Sequence, residues 1–272
     1  MEDTLTIAIL TMGGLSLFFA AFLAIADKKL RVDENPLIGK IVDLLPGANC
    51  GGCGFAGCYD YATKVVEGKA SPTGCPVNTS ENNIEIGKLM GIEVDTKVKM
   101  VARVLCNGGN AEANYKMTEY YGPMSCATMD ILSGGEKLCF YGCLGAGDCV
   151  SACPFNAIFI NPNGLPVVID ELCTGCGLCA KACPRDVIEI HPIDRNIFIF
   201  CKNHDDPKTS TQVCKVACTG CGTCARKSQG AIQVENYLGK IDYAIMDQVG
   251  RAPIELCRTG ALKQITNNGN AN

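Results

Sequence analysis

Twenty of the 272 residues are cysteine, and most stand at spacings that hold iron–sulfur clusters. Between Cys139 and Pro184 lie CFYGCLGAGDCVSACP and then CTGCGLCAKACP. The second run puts Cys173, Cys176 and Cys179 at three-residue steps, followed by Cys183 and Pro184. The first is a stretched version, with Cys139, Cys143, Cys149, Cys153 and Pro154. In such runs three thiolates come from one glycine-containing loop. The fourth comes from a distant Cys-Pro, which in two-cluster proteins belongs to the other run. The spacing therefore assigns Cys139, Cys143, Cys149 and Cys183 to one 4Fe–4S cluster, and Cys153, Cys173, Cys176 and Cys179 to a second. Structural zinc prefers paired CxxC spacing, and a CxxCxxC triplet cannot close into disulfides without strain.

Two further sets follow the same logic. NCGGCGFAGC supplies Cys50, Cys53 and Cys58, and after a helical stretch Cys75-Pro76 returns a fourth thiolate. Gly52, Gly54 and Gly57 also spell the dinucleotide fingerprint GxGxxG. Cysteines interrupt it, however, and Pro46 stands where its strand belongs, so that reading is rejected. Near the carboxyl end CTGCGTCARKS repeats CTGCGLCAKAC, with Ser228 in place of the fourth cysteine. Cys257 is the returning thiolate. Counting back from it by the same spacing reaches Asp247, Gly250 and Pro253, none of which is a thiolate. One cluster is thus lost from this repeat and one kept, on Cys218, Cys221, Cys224 and Cys257. Cys106, Cys126, Cys201 and Cys214 remain, either as buried free thiols or as parts of an additional shared metal site.

The elements that must position these loops are short. Residues 5–26 carry no charge and are long enough, as a helix, to cross a bilayer. Acidic residues precede the run, and Asp27, Lys28, Lys29 and Arg31 follow it. The positive-inside rule then places everything after Lys28 in the cytoplasm. A cleaved signal is the rival, but its leading region should be basic. Helices are expected over 36–45, 60–66 and 124–132, and strands over 98–105 and 196–200. His191 and His204 read as loop residues. The fold class is α+β. Residues 1–26 form a membrane anchor, 27–83 a small Cys-loop/helix module and 84–137 a linking α/β segment. A two-cluster ferredoxin-like unit spans 138–195, and a degenerate one-cluster unit spans 196–272. Net charge of −4 leaves no footprint for nucleic acid, and thiolates reserved for metal imply a reducing compartment.

The order of these modules, from one apolar helix through NCGGCGFAGC with Cys75-Pro76 to CFYGCLGAGDCVSACPFNAI and CTGCGLCAKACP, resembles the B subunit of the Rnf electron-transport complex over nearly the whole chain. The resemblance implies a subunit of a cell-membrane ferredoxin:NAD⁺ oxidoreductase that couples electron transfer to Na⁺ or H⁺ translocation. By the same resemblance this subunit takes electrons from reduced ferredoxin, and flavin and NAD sit on other Rnf subunits. The alternative implied role is a redox-control module that reduces a cytoplasmic iron–sulfur regulator. Lys64, Lys69, Lys88, Lys97 and Lys99 are candidate contacts for an acidic ferredoxin. No residue here is placed to make or break covalent bonds in a substrate.

Overall fold

The computed structural model describes residues 2–30, 35–95, 98–249 and 253–265. Arg31, Lys97 and Gly250 lie outside the described residues.

Helix α1 (Glu2–Leu30) continues the uncharged run into Lys28 and Lys29. Its span Ile9–Lys29 has a mean hydropathy of 2.2 and is long and apolar enough to cross a membrane. Its large apolar side chains, from Ile7 to Ile25, are exposed in the isolated chain. The hydroxyls of Thr11 and Ser16 donate to the carbonyls of Ile7 and Met12 one turn back. Polar groups satisfied in this way suit a helix facing hydrocarbon.

The first module is a three-helix packet. Asn35 caps α2 (Pro36–Leu44) by accepting from the Leu37 amide at 3.0 Å, and Pro36 supplies the preset φ of a first turn. Helix α2 packs on α3 (Cys58–Val66) and α4 (Ser80–Met90). Ile41, Tyr61, Ala62, Val65 and Ile86 make the dry centre, and Cys75 lies in the same core.

In the rest of the described chain every sheet has two strands, and sheets of that size are marginal without something to pack on. Strand β1 (Met100–Val104), expected in the linking segment, pairs antiparallel with β4 (Ile188–Pro192), with Met100 opposite Pro192 and Val104 opposite Ile188. Between them come α5 (Cys126–Leu132), α6 (Asp148–Ser151), the hairpin β2 (Ile158–Ile160) with β3 (Pro166–Val168), and α7 (Leu178–Lys181). The core they share contains Val101, Ala157, Val187 and Ile188 together with Cys143, Cys149, Cys173 and Cys179. His191 is not in a loop. It lies in β4, buried, with Nε2 2.9 Å from Glu189 and its ring against Phe198 and Tyr243.

The carboxyl-terminal part joins β5 (Ile197–Ile199) to the last strand, β8 (Leu262–Gln264). Helices α8 (Pro207–Val213) and α9 (Thr223–Lys227), the hairpin β6 (Ile232–Glu235) with β7 (Leu238–Ile241), and α10 (Tyr243–Val249) lie between. Ser228 is fully buried. Its hydroxyl accepts from the Ile232 amide at 2.9 Å and donates to the Ala225 carbonyl at 3.0 Å. A hydrogen-bonded staple thus occupies the place where a fourth thiolate stands in the other repeat.

Candidate metal centres

Three cysteine loops share one backbone. CTGCGLC at 173–179 has Gly175 at φ +67° and Gly177 at φ +79°; CTGCGTC at 218–224 has Gly220 at +59° and Gly222 at +69°. Positive φ is nearly free for glycine and costly for other residues. It curls the loop around its cysteines, and a one-turn helix follows, α7 or α9. The third loop is CLGAGDC at 143–149, with Gly145 at +81°, Gly147 at +89°, and α6 after it. Here Ala146 occupies the place of the middle cysteine.

A thiol from outside the loop lines the same cavity as the loop's own cysteines. Cys126, the first residue of α5, shares one cavity with Cys143, Cys149 and Cys183. Asp148 fixes it there, accepting from the Ser125 hydroxyl at 2.9 Å and the Ala127 amide at 3.1 Å. Burial alone would raise Asp148. The amides of Ala127 and Cys126 and the Ser125 hydroxyl outweigh it and hold the carboxyl below its ordinary value.

The structure does not bring Cys139 into this group. Cys139 opens onto a different cavity, beside Cys106, Cys201 and Cys214. The sequence expectation counted the first run from Cys139. Counting leftwards from Cys153 through Cys149, Ala146 and Cys143 keeps the regular step and was the available signal.

Within the other expected groups the structure brings several cysteines near one another. Cys179 lies in the field of Cys173 and Cys176, and it also feels Cys149 of the neighbouring set. The Ala102 amide donates to Cys173 Sγ at 3.4 Å. Cys153 and Cys183 pack against this same core. Cys224 lies in the field of Cys218, Cys257 and Cys221, and Cys257 Sγ accepts from the Leu262 amide at 3.4 Å. In the first module Cys75 feels Cys53 and Cys58. There the Tyr61 hydroxyl accepts from the amides of Gly74 (2.9 Å) and Cys75 (3.2 Å) and donates to the Ser71 carbonyl at 2.6 Å. Tyr61→Phe strands all three partners and is expected to cost about 2 kcal/mol or more, read as a lower denaturant midpoint of the loaded protein with Cys75-Pro76 loosened first.

Burial pushes the bare thiols of Cys143, Cys179 and Cys201 up to about 12 and those of Cys149 and Cys214 up to about 11. Such thiols are protonated at neutral pH, so loading must displace their protons into solvent as metal binds. Among the described residues no three Cys, His, Asp or Glu converge as they would on a single ion. The fit to a larger group rests on the glycine-curled loops, the cysteine-lined cavities and the amide donors aimed at sulfur. Arg185 is buried on the wall of the Cys126 cavity, ion-paired with Asp130 and stacked 4.3 Å over the Phe140 ring. It is a fixed positive charge beside the thiolates.

Of the candidate docking lysines, Lys64 and Lys69 both pair with Glu67, and Lys99 donates to the carbonyls of Asp170 and Glu171. Lys88 is exposed in the last turn of α4.

Comparison with known proteins agrees with this geometry. The family model described as "Putative Fe-S cluster" matches residues 45–77, and the one described as "4Fe-4S dicluster domain" matches residues 141–190. The second begins after Cys139. The B subunit of the ion-translocating oxidoreductase complex of Methanosarcina acetivorans is 39% identical, covering 97% of this chain and 99% of its own length. The B subunit of the Na⁺-translocating ferredoxin:NAD⁺ oxidoreductase complex of Acetobacterium woodii is 41% identical, covering 89% of this chain and 73% of its own length. Its counterpart from the proton-translocating complex of Clostridium ljungdahlii is 38% identical, covering 97% and 93%. With likeness of this degree running through the cysteine loops and nearly the whole chain, the protein belongs to the family of B subunits of the ion-translocating oxidoreductase, or Rnf, complexes.

Proposed function

We propose that this chain is the electron-relay subunit of a membrane-bound ferredoxin:NAD⁺ oxidoreductase that couples electron transfer to Na⁺ or H⁺ translocation, and that it receives electrons from reduced ferredoxin. One observation carries the relay reading: the first three cysteine sets lie next to one another in the fold. Gly52 in the first loop is so close to Cys176 that a Cβ there would lie 3.0 Å from Cys176 Cβ, which sets the first group against the second. Cys179 and Cys149 then bring the second against the third. The relatives' names supply the reaction class, and they name different ions. They give no support to the redox-control alternative.

On this reading the ligand sets are Cys50, Cys53, Cys58 and Cys75; Cys153, Cys173, Cys176 and Cys179; Cys126, Cys143, Cys149 and Cys183; and Cys218, Cys221, Cys224 and Cys257. Four-iron clusters, when bound, accept and release single electrons at potentials set by charge, hydrogen bonds and exposure. The chain's own part is to fix the thiolates on glycine-curled loops, to aim amides at their sulfurs, and to set Arg185 where its charge favours the more reduced state. Helix α1 anchors the chain in a single pass, with Lys28 and Lys29 marking the cytoplasmic side.

The test uses the full-length protein in detergent, purified without oxygen and mixed with chemically reduced ferredoxin in a stopped-flow instrument. Rapid bleaching of the visible absorption, slowing as salt rises, is expected. No transfer into a protein with full iron content would remove the entry role and leave an internal relay.

A further inference from the structure

We propose that Cys106, Cys139, Cys201 and Cys214 hold a fifth cluster of the four-iron, four-thiolate class, standing between the Cys126 set and the Cys218 set. This rests on the relay reading and on the other four ligand sets.

The four cysteines come from four separate stretches: the end of β1, the loop after α5, the end of β5 and the end of α8. They nevertheless line one cavity. Cys106 lies in the field of Cys139, Cys201 and Cys214 alike. Gly108 closes the cavity's edge, where an added Cβ would sit 3.0 Å from Cys214 Sγ and 3.9 Å from Cys106 Sγ.

Amides converge on these sulfurs. Cys106 accepts from the Cys143 amide at 3.4 Å. Cys201 accepts from the amides of Cys218 at 3.3 Å and Asn203 at 3.5 Å. Cys139 accepts from the side-chain amide of Asn203, itself 1% exposed, at 3.5 Å, and the Tyr141 and Gly142 amides also bond it. The Val216 amide bonds Cys214. A neutral thiol is a weak acceptor, whereas cluster thiolates are surrounded by such donors.

Lys137 supplies a second, independent sign. Its side chain lines the cavity at 5% exposure, donates to the Gly108 carbonyl at 2.9 Å, and has no carboxylate at ion-pair distance among the described residues. A buried ammonium needs a counter-charge, and an anionic cluster on four thiolates provides one. The two flanking sets touch this one through their own cysteines, by the Cys143 amide on Cys106 and the Cys218 amide on Cys201. The site therefore fills the gap that otherwise isolates the carboxyl-terminal set.

The experiment compares the anaerobically purified full-length protein with Cys214→Ser by iron, labile-sulfide and zinc analysis and by Mössbauer spectroscopy. The wild type is expected to carry about twenty iron, and the variant about four iron and about four sulfide fewer. Equal iron in both, or loss of zinc in place of iron, would overturn the fifth site. A wild-type count near sixteen would do the same and leave the other sets standing; a count well below that would fail the assignment beneath it. Should Cys214→Ser not fold, Asn203→Asp keeps every thiol but removes the side-chain donor to Cys139. It is expected to leave iron unchanged and move the midpoint potential of one paramagnetic species downward. Potentials that all stay fixed would count against the site.

Discussion

Cys126→Ala is expected to remove one whole cluster, about four iron per chain, and Ala146→Cys added to that variant is expected to restore it. The glycines at 145 and 147 repeat the left-handed pair at 175 and 177, so a side chain at 146 starts from the same backbone as Cys176. The two positions are alternative sources of one thiolate. The same Ala146→Cys change is not expected to rescue Cys139→Ala, whose thiol faces the cavity of Cys106, Cys201 and Cys214. Iron and sulfide analysis, with a count of the paramagnetic species after reduction, decides the matter. Unchanged iron in Cys126→Ala would return Cys139 to the set containing Cys143, Cys149 and Cys183.

The second large effect is on folding itself. Stripping iron by chelation after oxidation is expected to unfold residues 35–265 as a whole while α1 stays helical. The hydrophobic clusters here are partly built of ligands: Cys143, Cys149, Cys173 and Cys179 in one, and Cys201, Cys218, Cys224 and Cys257 packed against another. Every sheet among the described residues is two-stranded. A structural metal site is worth about 10–16 kcal/mol in zinc-finger peptides, and a whole domain is stable by only about 5–15 kcal/mol. The loss therefore exceeds the reserve. Circular dichroism and limited proteolysis before and after chelation measure it. A stripped protein that keeps its β signal and its protease resistance would show that the apolar cores suffice.

Local signals made much of this legible in the sequence. The apolar run became α1, the Cys-Pro spacings located the loops, and Asn35-Pro36 and Pro46 bounded α2. Helix α4 was not legible. Asn82, Asn83 and Gly87 weaken its helical signal, and it is held by the Thr79 cap and by Gly91 at φ +69°. The pairing of β1 with β4 joins strands far apart in the chain and leaves no local trace, which is also why His191 read as a loop residue. Cys106, Cys126, Cys139, Cys201 and Cys214 share this difficulty. Cys106, Cys126 and Cys201 are isolated along the chain, Cys139 and Cys214 each stand four residues before a loop cysteine, and only the fold shows which cavity each one lines. Cys139 stands just before a glycine-curled loop, and spacing alone cannot say which cavity its thiol lines.

The Ser228 staple has a consequence for biogenesis. Cys153 and Cys183 are each assigned to the loop opposite their own, so neither of those two sites can be completed before the other loop has folded. Their maturation is concerted, and a half-loaded intermediate has little to hold it. With Ser228 bonded to Ile232 and Ala225, the carboxyl-terminal loop owes no ligand to a twin, and Cys257 closes it from nearby. On that assignment the carboxyl-terminal site does not wait on a second loop, and it is expected to fill before the two central ones.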